Sequence, residues 1–197
     1  MEPSWWLPLL GFALVTCGTP GPNNMLLTSA GANLGVRRSL PMLFAVVGGL
    51  NLLILATAMG LGVLFSHWPL LHLLLKGAGS LYLLWLAWKL AWAAPPGSQT
   101  ASGLPTWYQA ALLQLLNPKG WLMALSAISG FTLAGQDYWR SALGVQGVFF
   151  AMGLLTGGVW LLFGASVRRW LRSPQAWQGF NFSMAGLTAA CVLMLWW

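Results

Sequence analysis

Six apolar runs, each about as long as a bilayer core is thick, take up most of this chain and leave little for anything else. They cover residues 5–28, 40–65, 68–92, 107–133, 141–166 and 177–197. A helix of roughly 20 residues rises far enough to cross about 30 Å of hydrocarbon. These runs are apolar around most of their circumference, whereas a soluble amphipathic bundle needs polar faces. Only 6% of the 197 residues are charged, against about a quarter in soluble domains, so a water-facing surface could not be built. The chain is predicted to be an all-α membrane protein with six transmembrane helices.

The formal charge of +7 does not read as a nucleic-acid footprint, because the basic residues form no single patch with interleaved aromatics. They punctuate the ends of apolar runs instead. Arg37 and Arg38 follow the first run, Lys89 closes the third, and Arg168, Arg169 and Arg172 follow the fifth. The intervening loops offer His67 and the pair Asp137 and Arg140. The basic group is predicted to be cytoplasmic, which places both termini in the periplasm of a multi-pass inner-membrane protein. Ten of the fourteen tryptophans, Trp5, Trp6, Trp68, Trp92, Trp107, Trp139, Trp170, Trp177, Trp196 and Trp197, fall near span ends. Indole prefers the headgroup layer. No basic segment precedes the first run, and Leu14-Val15-Thr16-Cys17 is a poor lipoprotein cleavage site, so the first span is expected to be retained.

Residues 93–106, rich in Pro, Gly and Ser, form the only low-complexity linker and are predicted to be cytoplasmic. They divide the chain into a first three-helix repeat, 1–92, and a second, 107–197. An odd number of spans per half forces two inverted repeats. Weak internal similarity fits this division. Pro20 and Pro118 each interrupt the first span of their half, with Asn23 and Asn117 close by, so the first and fourth helices are predicted to be broken. Gly79-Ser80-Leu81 and Gly186-Leu187-Thr188 occupy similar places in the third span of each half.

The interruptions carry the chemistry. Proline removes its own N–H and disrupts the bond to the carbonyl four residues earlier, so Pro20, Pro22 and Pro118 are predicted to free the carbonyls of Thr16, Gly18 and Gln114. Each restarted helix presents unpaired N–H groups and the positive end of its dipole, a site for a carboxylate. Freed carbonyls accept from an ammonium, so a broken helix can recognise the backbone of an amino acid without charged side chains. The candidate substrate-binding residues are therefore Thr19, Pro20, Gly21, Pro22, Asn23, Asn24, Gln114, Asn117, Pro118 and Lys119. Proline kinks are often purely structural, but two in corresponding positions point to a pathway. Lys119 lies near mid-span, where a lysine costs roughly 2.5–3.5 kcal/mol on insertion scales. Lys76 and Tyr82 complete the set. Lys76 is close enough to its span end to reach an interface, and Tyr82, like Asn51, is read more simply as an interhelical hydrogen bond.

Gly31-x-x-x-Gly35 and Gly153-x-x-x-Gly157 are read as close helix packing, with a homodimer face as the alternative. His67 and His72 are read as solvated interface residues rather than metal ligands, since no carboxylate or third histidine accompanies them. No metal or cofactor is expected.

Together, Thr19-Pro20-Gly21-Pro22-Asn23-Asn24, Gly35-Val36-Arg37-Arg38-Ser39, the stretch from Lys76-Gly77-Ala78-Gly79-Ser80 to Lys89, and Leu115-Leu116-Asn117-Pro118-Lys119 resemble the LysE/RhtB amino-acid exporters. The resemblance covers most of the chain in order. The Pro-Gly-Pro-Asn-Asn form, with Leu112-Leu113-Gln114 before the second break, is most similar to the cysteine/O-acetylserine branch. It implies a bacterial inner-membrane exporter of amino acids or their derivatives, drawing on the proton gradient. Many members have Asp after Pro-Gly-Pro, where this chain has Asn23, and its only acidic residues are Glu2 and Asp137, both near span ends. Facilitated exchange is thus as compatible with the residues as proton antiport. A cationic substrate would meet Lys119 and no buried counter-charge, so a small neutral zwitterion is expected.

Other classes compete with a carrier that exports by alternating access. A membrane thiol-disulfide relay would use Cys17, beside the first break, but Cys191 is far from the symmetric position. An intramembrane serine protease lacks its motif at Ser129-Gly130 and an inward histidine. A passive channel or a membrane assembly factor is the remaining alternative. The chain is expected not to be an enzyme.

Overall fold

The computed structural model describes residues 3–61, 69–93 and 104–196. Among them are eight α-helices and no strand. The first half runs α1 (Pro3–Gly18), α2 (Pro22–Leu34), α3 (Val36–Ala56) and α4 (Pro69–Ala91). The second runs α5 (Trp107–Leu116), α6 (Pro118–Phe131), α7 (Tyr138–Val167) and α8 (Pro174–Trp196). A π-helical turn, Thr57–Leu61, extends α3, and a 3-10 turn, Gly135–Asp137, leads into α7. Val36–Leu61 and Gly135–Val167 are each long and apolar enough to cross a membrane unbroken, and Trp5–Gly18 is a shorter apolar helix. The first and fourth apolar runs are each divided in two at their prolines, so neither half is that long. Most of the predicted linker and His67 lie outside the described residues, as does the side chain of His72, which belongs to α4.

Local chemistry explains where the central helices start and stop. Gly21 is fully extended (φ −177°, ψ 176°), and Pro22 opens α2 at the position where its fixed φ and missing N–H cost nothing. Gly35, at φ 78°, both ends α2 and starts α3. This left-handed conformation favours glycine and lets the chain reverse on one residue.

α2 is buried along nearly its whole length, from Met25 through Asn33, despite carrying Asn24, Thr28, Ser29 and Asn33. Its closest neighbour is α7. A Cβ on Gly31 would collide with the Leu161 carbonyl, and one on Gly164 with the Thr28 carbonyl. Small residues allow this approach, and in lipid such van der Waals packing drives helix association. Gly153 and Gly157 similarly admit Val47, Leu43 and Leu27. Polar side chains on the helices bond to carbonyls one turn back, as Asn33 does to Ser29 (2.8 Å), Asn51 to Val47 (3.0 Å) and Thr57 to Leu53 (2.8 Å).

Two apolar clusters fill the interior. One gathers Met25, Leu26, Leu27, Val46, Leu86 and Leu113, and the other Leu9, Leu50, Leu53, Met123 and Phe149. Leu7, Leu52, Leu81 and Leu193 are exposed, an apolar exterior suited to lipid.

Candidate functional site

The carbonyls at the end of α1 and at Thr19 and Pro20 just beyond it accept from side chains, while that of Gly21 accepts from the Met25 N–H of α2. Asn24 donates to the carbonyls of Cys17 (3.0 Å) and Thr19 (2.8 Å), the Thr19 hydroxyl donates to Thr16 (3.1 Å), and the Trp160 indole donates to Gly18 (3.1 Å). The carbonyls of Thr16 and Gly18, predicted to be free, are therefore occupied within the protein. So is that of Gln114, which accepts from the Asn117 N–H at 3.3 Å. A buried carbonyl without a partner is costly, and each is satisfied locally or by a neighbouring helix. α2 itself has no side-chain cap at its N-terminus.

The second break is a single residue. Asn117 (φ −89°, ψ 104°) caps both helices at once: its N–H closes α5, and its side chain accepts from the Lys119 N–H at 3.2 Å to open α6. The Trp121 indole donates to the Leu115 carbonyl at 2.9 Å. A Cβ on Gly79 of α4 would collide with the Leu116 carbonyl, so that helix backs directly onto the break.

The two breaks meet. The Lys119 ammonium reaches from α6 to the Thr19 carbonyl and hydroxyl, both at 2.9 Å, and to the Pro20 carbonyl at 3.5 Å. Beside it Asn23 and Gln114 exchange both amide hydrogen bonds (3.1 and 2.8 Å), and Asn117 donates to the same Asn23 oxygen at 3.4 Å. Gln114 and Asn117 are almost wholly buried. A cavity of about 40 Å³ opens on this polar seam. Gly21, Pro22, Asn23, Asn24, Asn117 and Lys119 line it together with Leu27, Val46, Leu50 and Met123 of the two apolar clusters and with Thr156 of α7.

Of the remaining candidates, Thr19, Pro20 and Gln114 contact cavity-lining residues without lining the cavity themselves. Pro118 opens α6. Lys76 and Tyr82 lie outside the lining: the Lys76 ammonium sits 4.7 Å above the Trp196 ring, and the Tyr82 hydroxyl donates to the Gln109 carbonyl at 2.6 Å. Cys17 is a free thiol in the cavity wall, and Cys191 is also free. No group of three His, Cys, Asp or Glu among the described residues could hold a metal ion.

Nothing in the motifs pointed to Trp160, Thr156 or Met123. A signal for Trp160 was available: besides Trp85 and Trp88, it and Trp121 are the tryptophans set away from the span ends where the other ten gather. An indole N–H at membrane depth needs an acceptor, and each of these two donates to a carbonyl at the end of a broken helix.

A family model for the LysE type translocator matches residues 14–195. The chain belongs to this family. It is accordingly a membrane translocator and not an enzyme. Cysteine/O-acetylserine efflux proteins are similar along most of their length. That of Klebsiella pneumoniae is 33% identical over 172 residues, 86% of both chains. That of Salmonella typhimurium is 31% identical over 163 residues (82% of this chain, 83% of the relative), and that of Escherichia coli K12 is 28% identical over 197 residues, 99% of both. No solved structure matches.

Proposed function

We propose that this protein exports a small neutral amino acid or derivative, of the size of cysteine or O-acetylserine, across the bacterial inner membrane by alternating access. The observation that carries the proposal is the shared cavity, lined from both breaks and with Lys119 in its wall reaching from one break to the other. Among the described residues its lining supplies amides, backbone and one ammonium but no carboxylate, which suits a zwitterion better than a cation. The uncapped start of α2 suits the substrate carboxylate. A cavity of about 40 Å³ holds roughly three waters. An amino acid with a side chain needs more, and alternating access supplies it by parting the halves.

We infer six spans, with α1 and α2 forming one and α5 and α6 another, arranged as two inverted three-helix repeats over 1–92 and 107–197. Packing supports this. α3 lies against α5 as α7 lies against α1, while α3 meets α7 and α4 meets α8. Such reciprocal pairing is what a two-fold relation between halves produces. Arg168 comes within 3.6 Å of a Cβ placed on Gly35, so the arginines after α7 share an end with Arg37 and Arg38. That end is assigned to the cytoplasm and both termini to the periplasm.

Saturable counterflow of labelled amino acid in proteoliposomes tests the carrier. Linear, non-saturable flux would favour a pore instead. Inverted vesicles with and without a pH gradient distinguish proton antiport from exchange.

A further inference from the structure

We propose that the Thr19–Pro20 turn, at the edge of the cavity, is an ammonium-binding subsite, filled by the cavity-lining Lys119 and taken over in turn by the α-ammonium of the transported amino acid. This deepens the carrier reading above and rests on it. Three oxygens surround the Lys119 nitrogen: the Thr19 carbonyl and hydroxyl at 2.9 Å and the Pro20 carbonyl at 3.5 Å. A primary ammonium has three N–H donors, so the number of acceptors matches the number of donors. All three oxygens are neutral, and Asp137, the one acidic side chain among the described residues, does not line the cavity. The cradle therefore recognises an ammonium by its hydrogen bonds, without an ion pair.

Gly21 keeps the way open to this cradle. A Cβ there would stand 3.2 Å from the Lys119 nitrogen and 3.3 Å from its Cδ, closer than a side chain comfortably tolerates. The lysine stem thus lies along bare backbone, and an incoming amine would use the same approach. The Thr19 carbonyl also accepts from Asn24 at 2.8 Å and gives Lys119 its second lone pair, while Thr16, Cys17 and Gly18 accept from Thr19, Asn24 and Trp160 and none of them contacts the ammonium. Only the oxygens held by Lys119 can be given up by moving one flexible side chain.

A tethered occupant multiplies the apparent affinity for its competitor by the fraction of time it leaves the site free. Lys119 held in the cradle would make substrate binding weak, and its removal would expose the subsite to any small primary amine. The test uses the full chain in nanodiscs, with ethylammonium chloride as probe and tetramethylammonium chloride, which has no N–H, as control. Thermal unfolding of Lys119→Ala should rise with ethylammonium and not with tetramethylammonium, while the wild-type protein responds to neither. Adding Thr19→Val should weaken the ethylammonium response roughly five-fold, as expected for one lost hydrogen bond.

Equal effects of the two salts on Lys119→Ala, or a response unchanged by Thr19→Val, would overturn the subsite. If Lys119→Ala is recovered only as aggregate, the salts are added during purification and the monodisperse fraction is measured instead. A fraction raised by ethylammonium alone supports the subsite, and one raised equally by both salts, or by neither, overturns it. Takeover by substrate is tested by O-acetylserine or cysteine binding to Lys119→Ala. Ethylammonium should shift that binding curve to higher concentration, and simultaneous binding of both would overturn the takeover. None of these measurements involves flux, so absence of counterflow by the wild-type protein would count against the carrier reading alone.

Discussion

The two breaks begin from the same sequence device, a proline inside an apolar run, and end as opposites. The first spreads over Thr19, Pro20 and Gly21 and accepts: its carbonyls receive Asn24, Trp160 and Lys119. The second is confined to Asn117 and donates, sending Lys119 and an amide of its own to the first break and the start of α2. The α6 N-terminus is capped by Asn117, while that of α2 has no side-chain cap. A repeated motif therefore need not supply a repeated site. The fold brings the two breaks together, and the differences between them make the seam complementary.

If donor and acceptor are truly divided in this way, the largest effect should come from the donor. Lys119→Ala and Asn117→Ala should each lower counterflow to background in proteoliposomes, while membrane insertion and monodispersity persist. Wild-type flux in both variants would remove the functional meaning of the asymmetry.

Close packing around the breaks should come next. Gly164→Ala places a methyl group against the Thr28 carbonyl, backbone that cannot yield as a side chain does. A loss of about 3 kcal/mol or more is expected in thermal or denaturant unfolding, at the upper end for overpacking. Gly48→Ala, with open space at the Cβ position, is the control and should be close to neutral.

The amide pair is a smaller term that links the breaks directly. Asn23→Ala and Gln114→Ala each leave a partly or fully buried amide without its partner, at about 1–3 kcal/mol. A double-mutant cycle should show coupling of about 1 kcal/mol, and additivity within 0.3–0.5 kcal/mol, roughly the limit for independent sites, would mean that the pair does not join the halves. Smallest are Trp160→Phe and Trp121→Phe, each losing one indole hydrogen bond to a broken-helix end, about 1 kcal/mol in stability. Comparable losses are expected, because this is the one respect in which the breaks are served alike.

Much of this was legible in the chain. The runs 40–65 and 141–166 became α3 with its π-helical turn and α7, and the interruptions fell at the predicted prolines. Hydropathy and proline act over a few residues, and nothing distant can override a missing N–H. The partners of the freed carbonyls were not legible. That Gly18 would accept from Trp160, or Thr19 from Lys119, depends on side chains 142 and 100 positions away.

The similarity of Gly79 and Gly186 in sequence was equally silent about surroundings. Gly79 lies against the Leu116 carbonyl, whereas a Cβ at Gly186 would meet nothing. Composition alone determined the solvent and the helical class, because eleven charges among 197 residues cannot clothe a soluble surface. Only the tertiary structure decided that α2 would be buried among other helices and that its carbonyl-rich entrance would face a lysine. Helix packing in lipid is settled by where backbones can approach, and the glycines that permit it act in pairs with distant neighbours.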